Sequence, residues 1–126
     1  THSAGLVETV DIYPTLCELA GLPAPRGPQP IDGRSLVRVL KDPSILVRSH
    51  AYHCYPKRTL GRAIRTDRYR LVEWKAIGAP GDTAEYELYD YEKDPLETKN
   101  IAGDEPQVLR SMLSLLREHP EARVRN

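Results

Sequence analysis

The side chains able to do chemistry gather in two stretches, residues 50–70 and 90–97. His50, His53 and Cys54 come nearest to a metal-ligand set. On an extended strand His53 and Cys54 point to opposite faces, so they cannot share one ion. The remaining pairs lack a spacing such as Cys-x-x-Cys, and no metal site is expected. Asp90, Glu92, Asp94 and Glu97 could hold a hard cation, but they lack the glycine and ligand order of an EF-hand loop. Asp94-Pro95 explains itself as a turn. Lys57, Arg58, Arg62, Arg65, Arg68 and Arg70 form the sharpest charge excess. Guanidinium groups bind sulfate or carboxylate bidentately, yet basic residues also protect strand edges. The edge reading fits the group as a whole, with Arg65 holding a hairpin. Lys57 and Arg58 are the candidate substrate-binding residues, because they follow Tyr55-Pro56 in a loop at a strand end. No Gly-rich phosphate loop, no Gly-x-Ser-x-Gly elbow and no acid–base carboxylate pair is present, so no catalytic residue is assigned.

These residues must be positioned by a small set of elements. Residues 12–20 predict a helix, with Asp11 as its N-cap, Pro14 in the first turn and Gly21 as its stop. Ile12, Leu16, Leu19 and Ala20 share one face, flanked by Cys17. Residues 23–33 hold four prolines and two glycines, which predict a connector. A short helix over 35–40 follows, ended by Asp42-Pro43. From Ser49 the period shifts towards two, predicting strands over 50–55, 62–66, 69–74 and 86–90. Short links between them favour an antiparallel sheet. A last helix, about 105–119 with Asp104 as N-cap, carries an apolar stripe from Val108 to Leu116 that would cover one sheet face. The expected fold is α+β: about four antiparallel strands under a C-terminal helix, plus an N-terminal helix. The organisation reads as a helical lead-in and connector over 1–47, then the sheet and its helix over 48–126.

At 126 residues the chain is one domain's worth, and its 18 basic and 18 acidic residues balance. No field favours nucleic acid. No apolar run is long enough for a membrane span, and Thr1 to Gly5 has no signal-peptide character. With no Phe, seven Tyr and Trp74 supply the aromatic bulk. Cys17 and Cys54 are expected as reduced, packed thiols.

Several of these motifs carry a resemblance. VETVDIYPTLCELAGLPAP followed by IDGRSLVRVLKDPS, and later YELYDYEKDPLETKNIAGD, resemble the closing part of sulfatases of the alkaline phosphatase superfamily. AYHCYPKR followed by GRAIRTDRYRLVEW is similar to the iduronate-2-sulfatase-like subgroup. The match spans about residues 6–118. It implies a parent enzyme that hydrolyses sulfate esters, for instance of a sulfated uronic acid or other glycan. Such an enzyme uses a formylglycine nucleophile and Ca²⁺, in a periplasmic, secreted or lysosomal setting. The formylglycine arises in a Cys/Ser-x-Pro-x-Arg motif. Cys54, Pro56 and Arg58 match that spacing, but the family's nucleophile opens a helix beside the metal site, whereas these residues end a strand. The chain is therefore expected to be inactive alone and to hold no cofactor. It would act as a structural and substrate-rim subdomain, partnered by the catalytic N-terminal domain of its parent chain. Left alone, its N-terminal helix would expose an apolar face and self-associate. The alternatives are a stand-alone module for anionic sugars or a partner protein, or part of a phosphate or phosphonate monoester hydrolase.

Overall fold

The computed structural model describes residues 2–56 and 59–121. The chain divides into two compact units, Thr1–Ala51 and Tyr52–Asn126.

The first unit holds helix α1 (Ile12–Leu19), entered through a 3-10 turn over Thr9–Asp11, and helix α2 (Val37–Lys41). Asp11 does not cap α1. Its own backbone is already helical, with φ −73° and ψ −19°, and no first-turn NH reaches its side chain. The carboxylate is fully buried and turns outward from the helix. Oδ2 accepts the Glu8 NH at 2.8 Å. Oδ1 accepts the Arg34 NH at 2.8 Å and also meets the Arg48 guanidinium, which in turn bridges to Glu8 at 2.9 Å. Thr15 extends the clasp: its hydroxyl donates to the Asp11 carbonyl at 2.6 Å and accepts the Leu36 NH at 2.9 Å. Gly33 lies so near that a Cβ there would sit 2.0 Å from the Val10 carbonyl oxygen. The Asp-x-x-Pro-Thr and Asp-Gly-Arg-Ser segments thus hold one another.

The second unit is an antiparallel meander of β1 (Ala51–Pro56), β2 (Leu60–Arg65), β3 (Tyr69–Lys75) and β4 (Glu85–Asp90), in the order β1-β2-β3-β4. Helix α3 (Pro106–Leu116) follows. The expected α+β fold with four antiparallel strands and a C-terminal helix is what forms. The register places Ile64 opposite Leu71 and Leu71 opposite Leu88. That apolar row meets Met112 and Leu116 of α3 in a closed core, bordered by Tyr52, Leu109 and Leu113. Each such burial stabilises by roughly 1.5–3 kcal/mol before chain entropy is set against it. Helix α3 is shorter than predicted. Pro106 opens it, and neither Glu105 nor Asp104 caps it with a side chain. Asp104 instead pairs with Lys99 at 2.7 Å.

Beyond the end of α3, on the same sheet face, Arg62 and Glu73 stand directly opposite in the register. Arg62 Nη2 lies 2.7 Å from Glu73 Oε1, with both side chains under a tenth exposed. Glu121, after the helix, joins them by accepting from Lys75 Nζ at 2.9 Å. Two cations and two anions therefore neutralise one another where the sheet would otherwise bury bare charge.

Candidate functional site

The acidic stretch is fully used by the fold. Asp90 accepts two bonds from Arg68, at 2.9 and 2.7 Å. Asp94 accepts from the Thr98 hydroxyl at 3.1 Å and the Lys99 NH at 2.9 Å. The Arg68 bonds hold the Asp90 carboxyl below the usual range, and backbone donors from Thr98 and Lys99 do the same for Asp94. Burial acts to raise Glu97, yet the Tyr91 hydroxyl and the Arg70 guanidinium keep its carboxyl low. Oxygens committed to cationic and NH donors do not fit a Ca²⁺ site. Asn100 completes the turn. Its Oδ1 accepts the Leu88 NH at 2.9 Å, and its amide donates to the Tyr86 carbonyl at 3.0 Å. The Leu-Tyr-Asp…Asp-Pro-x-Glu-x-x-Asn pattern is a self-bonded corner.

Among the described residues, the arginines of the basic cluster are paired or stacked rather than left to solvent. Arg62 is buried against Glu73. Arg65 lies over the Tyr91 ring at 3.4 Å, and its only link to the hairpin turn is a long 3.5 Å bond to the Asp67 carbonyl. Arg68 pairs with Asp90 and Glu92, and Arg70 with Glu97. Lys57 and Arg58, the candidate substrate-binding residues, lie outside the described residues. Cys54 is an exposed free thiol and Cys17 a buried one, so the packed-thiol expectation fits Cys17 and not Cys54. Among the described residues no group of three or more His, Cys, Asp and Glu side chains converges on a point.

What the sheet builds beside the β1–β2 hairpin is a cleft. Tyr52 packs into the core under α3, so strand alternation sends His53 and Tyr55 to the other face. Arg70, Val72 and Trp74 share that face from β3. These five line a cavity of about 270 Å³ floored by Gly61 and Ala63. Gly61 is required there: a Cβ would sit 2.6 Å from the Trp74 ring, which lies across the strand opposite it. The indole NH donates to Glu87 at 3.0 Å, fixing the ring. His53 and Tyr55 stack with centroids 6.3 Å apart. The sequence signal for this site was the alternation Arg70-x-Val72-x-Trp74. Reading it needed the strand pairing, which alone brings Gly61 and Tyr55 alongside.

A family described as N-sulphoglucosamine sulphohydrolase, C-terminal, matches residues 1–122. The chain belongs to this C-terminal sulfatase family. Arylsulfatase K of Danio rerio is 35% identical over 118 residues, covering 88% of this chain and 21% of its own length. Delta 4,5-hexuronate-2-O-sulfatase of Bacteroides thetaiotaomicron is 35% identical over 100 residues, covering 76% and 19%. Iduronate 2-sulfatase of Mus musculus is 29% identical over 143 residues, covering 82% and 26%. A solved structure with its substrate D-glucosamine-2-N,6-O-disulfate superposes with a TM-score of 0.68 at 28% identity, over 86% of this chain and 22% of that one. The phosphonate monoester hydrolase of Agrobacterium radiobacter gives 0.64 at 26% identity, over 86% and 24%. The sulfatase domain therefore spans about a fifth of the curated relatives it first matches.

Proposed function

We propose that this domain is the structural and substrate-rim part of a sulfatase that hydrolyses sulfate esters of an anionic glycan, and that it is inactive alone. The observation that carries the reading is the outer face of α1. Ile12, Tyr13, Leu16 and Leu19 are 53, 57, 58 and 58% exposed, and Val10 and Leu22 extend the patch. A contiguous apolar surface of this kind marks a docking face. The occupant it calls for is the catalytic domain of the same parent chain, because relatives matched along most of this domain are about five times its length. The family match and the sugar substrates of the relatives support a sulfated uronate or glucosamine unit as substrate. Calcium and a formylglycine nucleophile belong, on this reading, to the catalytic domain. The test compares the domain alone with the full-length parent protein, each assayed for sulfate release from sulfated hexuronate and glucosamine disaccharides. Release by the full-length protein only supports the reading. Release by the domain alone refutes it, and phosphonate ester cleavage in place of sulfate release favours the other hydrolase class.

A further inference from the structure

The cleft on the face of the sheet away from α3 is lined wholly by residues of the AYHCYPKR and GRAIRTDRYRLVEW segments. The Asp11 clasp and the 90–100 corner bond to themselves, whereas the cleft is lined by rings beside an arginine that Glu97 engages at one nitrogen. We propose that it is a subsite for one ring of an anionic pyranoside, with the sugar's CH face on Trp74 and Tyr55 and its sulfate or carboxylate on Arg70. The inference rests on the sulfatase-rim reading and deepens it by naming where a substrate unit sits.

Three observations point to this occupant. The volume of about 270 Å³ lies just below the usual range of small-ligand clefts, which suits a single ring rather than a longer segment. The walls are aromatic and the floor is small, the pairing that receives the apolar side of a sugar while its hydroxyl edge stays in water. Among the described residues of the lining Arg70 is the one formally charged side chain, which suits the cleft to an anion. Glu97 engages Arg70 through Nη1, one nitrogen of a group with five N–H donors. The Glu97 pair and the Glu87 bond to the indole also hold both contact groups in place before any ligand arrives, which lowers the ordering cost of binding.

The test uses the full-length parent protein, with a heparin-derived sulfated disaccharide and its desulfated counterpart as probes in calorimetric titration. Tyr55→Ala and Arg70→Gln are each expected to weaken the sulfated probe by about tenfold or more. Arg70→Gln should also narrow the preference for the sulfated over the desulfated probe, while Tyr55→Ala weakens both alike. Tyr55 is 45% exposed, so its variant should fold, which a thermal melt checks. Unchanged affinity in both variants of a parent that still releases sulfate overturns the cleft and leaves the rim reading standing. A parent that releases no sulfate from such sugars overturns the rim reading itself.

Discussion

Replacing Asp11 tests whether the family's Val-Asp-x-x-Pro-Thr start is a clasp or a helix cap. A lost cap costs about 1 kcal/mol. The clasp is larger. Asp11→Ala removes an acceptor from the Glu8 and Arg34 amides and the buried partner of Arg48. Breaking a buried ion pair costs about 3–5 kcal/mol, and Arg48 keeps Glu8 at 2.9 Å, which argues for the lower half of that range. Asp11→Asn keeps an acceptor and the shape, so about 1–3 kcal/mol is expected, the cost of unmade bonds rather than of a stranded charge. Amide hydrogen exchange read by residue separates the two units. The Leu36 NH, bonded to Thr15 and not to Asp11, should lose about a hundredfold protection or more in Asp11→Ala. Leu88 in the sheet serves as the reference. A change at Leu36 of less than about fivefold, or an equal loss at Leu88, would refute the clasp.

Glu73→Ala should cost the sheet about 3–5 kcal/mol in urea melts, while the double change Arg62→Met, Glu73→Leu recovers most of it; a single variant costing under about 1 kcal/mol contradicts the buried pair. Acid should open the 90–100 corner. Asp90 and Asp94 titrate below their usual 3.8 when folded, so their contribution is full above that value and is lost as pH falls through the lower folded values. Exchange at Lys99 should rise below about pH 4 and lose that acid response in Asp94→Asn; an unaltered response in the variant counts against the assignment. The isolated domain should self-associate through α1 in sedimentation, and Leu16→Glu with Leu19→Glu should return it to monomer; a wild-type monomer at high concentration counts against the docking face.

The strands and α3 were legible because alternation and the 3.6 period register burial directly, as Ile64, Leu71 and Leu116 show. The roles of Asp11 and Asp104 were misread for one reason. A carboxylate before a helix looks the same whether it bonds forward into the first turn or sideways to a distant segment, and only the fold chooses. Arg62 looked like an edge cation because its neutralising partner lies eleven residues away. The cleft was illegible for the same cause: Trp74 needs a glycine at Gly61, and nothing local to either residue says so.

The meander has a kinetic consequence. Each strand pairs with the one made just before it, so the sheet closes only short loops, and low contact order favours fast folding. The Asp11 clasp instead closes separations of 23 and 37 residues, to Arg34 and Arg48. Although within this domain the lead-in is synthesised before the sheet, the sheet should acquire native structure sooner, leaving the Asp11 clasp to settle after it.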